Sequence, residues 1–179
     1  MTHEAILQPP QYPAGPFESE GPLTAQRREE LIAVLETAPA ALQKAIAGLS
    51  EDQLDTKYKN WTIRQIVHHL PDSHINAYLR FKLALTEDVP IIKPYDEGRW
   101  AALEDSRAGD VRAPLALMAS LHACWVQLLR SMPEVQFART FFHPEYNETA
   151  NLDAALASYA WHCRHHTGQI LWLREKNGW

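Results

Sequence analysis

The 179 residues (20.4 kDa) are enough for one domain with at most an arm attached, and 46% hydrophobic against 22% charged residues gives a globular chain with a real core. The 17 basic and 22 acidic residues leave a net charge of −5, which speaks against a nucleic-acid partner, and no apolar run approaches the roughly 20 residues of a membrane span. Two cysteines and an opening segment without a basic, then apolar, signal pattern lead us to expect a cytoplasmic protein rather than a disulfide-stapled secreted one.

Residues 1–22 hold five of the twelve prolines, so they are expected to form an extended arm whose Ile6, Leu7, Tyr12 and Phe17 pack along the body. Residues 23–179 read as a single domain. Thr24 is an expected N-cap, and Leu31, Ile32, Leu35, Ala38, Leu42, Ile46 and Leu49 recur at helical spacing, with a kink or brief interruption expected at Pro39. A connection follows, with at most one helical turn. Thr62 and Gln65 make a capping-box pair that opens a second helix running to about Glu87, with Pro71 as a further kink. DVPIIKPYDEGRW is a long loop, followed by a short helix near Gly98–Glu104 and a polar loop through Asp110.

A third long helix is expected from Ala113 to Ser131, with Leu117, Leu121, Cys124, Leu128 and Leu129 on one face. The β-forming residues around PEYN suggest a small hairpin, and Asn151 caps a fourth helix reaching about Lys176. Four long amphipathic helices in one small domain mean an all-α four-helix bundle with long crossover connections.

Nine histidines stand out, six of them in IVHHLPDSH and YAWHCRHH. His162 and His166 are four apart, so they share a helix face and could grip one cation, while His165 points largely away. An isolated H-x-x-x-H is as often a pair of hydrogen-bonded core histidines. On the second helix, periodicity barely separates His68 from His69 as a partner. His74 lies in the middle of the apolar stripe, as either a core histidine or a further ligand. A bundle interior is where facing helices assemble metal sites, and three imidazoles with an open fourth position make a catalytic-type site. Cys163 and Cys124 read as small core residues.

WTIRQIVHHLPDSHINAYLRFKLALTED, IKPYDEGRWAALEDS, LHACWVQLL, FFHPE and YAWHCRHH resemble the YfiT branch of the DinB superfamily, bacterial proteins described as metal-dependent hydrolases. The resemblance runs from about Leu31 to the C-terminus. It implies a four-helix bundle of up-down-down-up type, frequent homodimerisation, and one divalent ion, zinc or nickel foremost, held by His69, His162 and His166. The chain departs from the family's pattern in three places. KYKNW stands where a Gly-Gly usually precedes the tryptophan, Pro71 replaces a residue that is more often alanine, and Gln169 replaces a frequent histidine.

The resemblance leads us to expect, first, an S-transferase that joins a low-molecular-weight thiol such as bacillithiol to small electrophiles, the metal ionising the thiol. The alternative is a hydrolase acting on an amide or ester through metal-bound water, with Asp72, Asp96 or Glu97 as general base. His74, Arg80 and Gln169 are candidates to contact the small-molecule substrate. The third reading is a non-enzymatic metal-binding stress protein, which an open three-ligand site disfavours.

Overall fold

In the computed structural model, which describes residues 8–179, seven α-helices and two short β-ribbons follow one another in the chain. Helix α1 (Ala25–Ile46) starts where Thr24 Oγ1 accepts the backbone N–H of Arg27, and it ends just before Gly48, whose φ of 77° suits glycine. Pro39 sits inside this helix without interrupting it, contrary to one of the two outcomes expected there. The next segment is more structured than expected. It holds the helical turn α2 (Glu51–Leu54) and the ribbon β1 (Lys57–Tyr58) with β2 (Trp61–Thr62). Lys59 in the ribbon's turn has φ 53°, in the left-handed region that favours glycine.

Helix α3 (Ile63–Thr86) opens with the expected capping box: Thr62 Oγ1 accepts from Gln65 N at 3.1 Å and Gln65 Oε1 accepts from Thr62 N at 2.9 Å. After the proline-containing loop come α4 (Glu97–Ala101) and α5 (Glu104–Ala108), so part of the expected polar loop is helical. Glu104 and Asp105 lie in the first turn of α5, where acidic residues favour helix formation. Helix α6 (Arg112–Ser131) buries Met118, Leu121, His122, Trp125, Val126 and Leu129. This corrects the expected face: Leu117 is 47% exposed and Cys124 is exposed. A face drawn only through aliphatic residues misses His122 and Trp125, which turn inward and rotate the helix. A 3-10 turn over Glu134–Ala138 then leads into the hairpin β3 (Thr140–His143) and β4 (Glu148–Asn151) and the long helix α7 (Leu152–Asn177), capped by Asn151.

Helices α1 and α3 each pack against both α6 and α7, so α1 faces α3 across one diagonal and α6 faces α7 across the other. Two of the three passages between long helices therefore cross the bundle, as expected for long crossovers. The core runs its full length, from Leu31, Leu35 and Leu42 to Ile66, Leu70, Phe81, Leu156 and Ile170. At its N-terminal end, the buried pair Arg28–Asp153 (Nε to Oδ1, 2.7 Å) ties α1 to α7. The described part of the arm packs along the body. Trp161 Nε1 donates to Gly15 O at 2.9 Å, and Tyr12 and Phe17 lie against the Trp161 ring. Ile6 and Leu7 fall outside the described residues. No helix among those described is long and apolar enough to cross a membrane.

Candidate metal centre and its cleft

The capping box fixes the start of α3, and the burial of Ile66, Val67 and Leu70 in the core turns the helix so that His69 meets α7. His69 is 3% exposed, and the indole of Trp61 covers it at 4.5 Å between ring centroids. From α7, His162 and His166 rise one turn apart. His162 Nε2 is 3.1 Å from His69 Nε2 and 3.1 Å from His166 Nε2, so three ring nitrogens from two helices meet at one point.

Burial disfavours charge on each ring: His69 is pushed down to about 4, and His162 and His166 lie well below the ordinary histidine range. The rings are neutral at pH 7. His166 Nδ1 donates to Gln169 Oε1 at 2.9 Å, which leaves its Nε2 bare. Neutral imidazole nitrogens converging within hydrogen-bond distance of one another repel through their lone pairs unless a proton or a cation lies among them. That donor set fits a divalent ion with ring nitrogens at about 2.0–2.1 Å.

The remaining histidines are held elsewhere. His74 is fully buried and bonded on both sides, its Nε2 3.1 Å from His162 Nδ1 and its Nδ1 3.0 Å from His122 Nε2. It is the core histidine of the two readings, and it is sealed from any substrate. His74, His122 and Cys163 also cluster closely enough for a second ion. The histidine–histidine hydrogen bonds already occupy the lone pairs there, and burial pushes the Cys163 thiol strongly up, so it stays protonated. His68 faces α5, where its ring lies against Gly109. His165 points away from the bundle as expected but is buried, stacked on Trp161 at 4.7 Å and receiving Gln169 Nε2 at 3.0 Å. Gln169 thus supports His166 and does not line the cleft.

A cleft of about 590 Å³ reaches His162, walled by α3, α7, the start of α4 and the β3–β4 hairpin. Arg80 lines it, its Nη1 donating to the Tyr159 hydroxyl at 3.0 Å. Glu97 lines it as well, and burial together with the nearby Glu145 and Asp96 raises its proton affinity. Asp96 instead caps α4 through Arg99 N at 2.9 Å, and Asp72 lies outside the cleft lining. Tyr95, Tyr159 and His143 in the cleft wall escaped the sequence reading. Tyr159 carried a signal, a polar tip on the apolar face one turn before Cys163, whereas Tyr95 and His143 depend on loops whose course no periodicity reveals.

Fold and site define a helical-bundle protein with a three-histidine candidate metal centre. The sequence matches the DinB superfamily model over residues 14–170, and the chain belongs to that superfamily. It is 44% identical to "Putative metal-dependent hydrolase YfiT" of Bacillus subtilis, over 94% of this chain and 96% of that protein. It is 48% identical to a Bacillus cereus protein described in the same words, over 94% and 97%. The solved structure of B. subtilis YfiT, described as a probable metal-dependent hydrolase with an unusual four-helix bundle topology, superposes with a TM-score of 0.92 over 94% of this chain and 97% of that one. The expected YfiT-like membership and bundle fold are borne out.

Proposed function

We propose that the chain is a divalent-metal enzyme that hydrolyses an amide or ester in the cleft beside His162, with His69, His162 and His166 holding one zinc or nickel ion. The observation that carries this reading is the meeting of three neutral Nε2 atoms, one of them on His162, which also lines a cleft that contains a carboxyl group of raised proton affinity. When bound, the ion would polarise a carbonyl and lower the pKa of water at its open positions. Glu97 takes the proton from the attacking water and returns it to the leaving group, a role that suits a carboxyl poised closer to neutrality than usual. Arg80, steadied by the Tyr159 hydroxyl, binds the oxygen on which negative charge develops.

Transfer of a low-molecular-weight thiol such as bacillithiol to an electrophile is the second reading. The cleft volume favours it, with room for two small reactants, and so does the lack of a usable internal thiol. Cys163 is buried and protonated, and Cys124 lies outside the cleft lining. The partner we propose besides substrate is a second copy of the chain. Trp125 is wholly buried and Trp172 is partly covered by Tyr58, whereas Ile75 and Leu79, one turn apart on α3, are exposed and offer apolar surface for that copy. Light scattering at micromolar concentration should give twice 20.4 kDa; a species of single mass would remove the dimer.

The metal-loaded protein should be offered ester and amide panels and a model electrophile, in parallel with bacillithiol, mycothiol, glutathione and no thiol. Turnover without thiol selects hydrolysis, and turnover only with thiol selects transfer. Glu97→Gln should lower kcat of the hydrolytic reaction by about 10²–10⁴. Absence of turnover in every arm, with metal bound, would leave a non-enzymatic metal-binding protein.

A further inference from the structure

Pro39 has no N–H, so the carbonyl of Leu35, four residues earlier in α1, lacks its helical donor. A buried carbonyl without a partner costs about 1–3 kcal/mol. The partner comes from α6: His122 Nδ1 lies 2.5 Å from Leu35 O. A carbonyl can only accept, so His122 Nδ1 carries the proton. His122 and His74 are 1% and 0% exposed and have no carboxylate partner among the described residues, so each ring is neutral with one N–H.

That one fact fixes the whole row. With its proton on Nδ1, His122 has a bare Nε2, which can only accept from His74 Nδ1 at 3.0 Å. His74 Nε2 is then bare and can only accept from His162 Nδ1 at 3.1 Å. The protonated thiol of Cys163, 3.8 Å from the same His74 nitrogen, is a donor too, in keeping with that direction. The polarity set at Leu35 passes through two rings from different helices and leaves His162 Nε2 bare, facing His69 and His166. Unlike the Gln169 amide, whose oxygen and nitrogen can exchange places, a main-chain carbonyl cannot reverse.

We propose that His74 and His122 are positioning residues for the metal centre: their hydrogen bonds, anchored on the Leu35 carbonyl that Pro39 frees, lock His162 in the Nδ1–H tautomer and present its Nε2 lone pair to the cation. This rests on His162 being a ligand. The histidines supply the same orientation that ligating imidazoles usually take from a carboxylate or carbonyl, extended here over two rings.

The test uses the full chain labelled with ¹⁵N-histidine. In the metal-free wild type, two-bond ¹H–¹⁵N correlation should show His162 with a pyrrole-type Nδ1 and a pyridine-type Nε2. His122→Gln keeps both a donor for Leu35 and an acceptor for His74, and zinc affinity, read against a competing chelator, should stay within about threefold of wild type. His122→Phe keeps the bulk and removes the acceptor. It should move His162 toward the other tautomer and weaken zinc binding about 10–100-fold. An unchanged tautomer and affinity in His122→Phe would overturn the inference. So would a wild-type His162 protonated on Nε2, an observation that needs no variant to fold. If His162→Ala binds zinc as tightly as wild type, the ligand reading fails and the inference with it. If His162→Ala loses zinc while His122→Phe does not weaken it, only the inference fails.

Discussion

Asp72 shows how burial sets the behaviour of single residues near this site. Loss of hydration, reinforced by Asp105, raises its carboxyl from the usual 3.8 to about 6. The folded state therefore holds a proton that the unfolded chain releases. The stability this contributes is complete below pH 3.8 and is lost as pH rises through 6. Asp72→Asn should raise stability at pH 7 by on the order of 1–2 kcal/mol and flatten that decline, as urea titrations between pH 4 and 7 would show. Among the histidines, His166→Ala should abolish most metal uptake, whereas His165→Ala, which removes the stack on Trp161 and a contact to Gln169 but no ligand atom, should keep it; elemental analysis of the purified variants checks this. The i, i+4 pair on α7 was legible because helical spacing alone places His162 beside His166. The choice of His69 over His68 was not, because it depends on how α3 is turned against α7. His122 stayed hidden: a lone histidine in an aliphatic helix carries no mark that it will turn inward.

At the level of elements, the caps did most to make the fold readable. Thr24, the Thr62–Gln65 box and Asn151 each satisfy free N–H groups where a helix begins, and those three starts match. The misjudged pieces are those whose state depends on neighbours. The ribbon β1–β2 is two residues a side, and α5 is a short helix packed on α3. At one end the contact between α1 and α7 includes Arg28 and Asp153, whose side chains are only 10% and 8% exposed. Asp153→Ala would leave the buried guanidinium with only its bond to the exposed Glu134 (3.0 Å) and should cost about 2–3 kcal/mol, measured by chemical denaturation. Replacing both by apolar residues of similar size should cost far less, since neither charge is then left without a partner.

For the whole molecule, the candidate centre is a clasp between α3 and α7, made by groups 93 residues apart in sequence. Metal that binds only the folded chain should stabilise it by about 2.7 kcal/mol at a hundredfold excess over Kd and so raise the melting temperature in a concentration-dependent way. His162→Ala should remove this dependence, and differential scanning fluorimetry with and without chelator tests both. The position of α7 has a further consequence for how the protein is made. Helix α1 finds its broadest packing surface on α7, and two of the three candidate ligands lie in that last helix. During synthesis the first three long helices leave the ribosome with that groove still empty, and His69 waits on α3 without its counterparts. Only when α7 has emerged can the bundle close and the candidate ligand set form, so an ion held there cannot guide the folding of the helices that precede it.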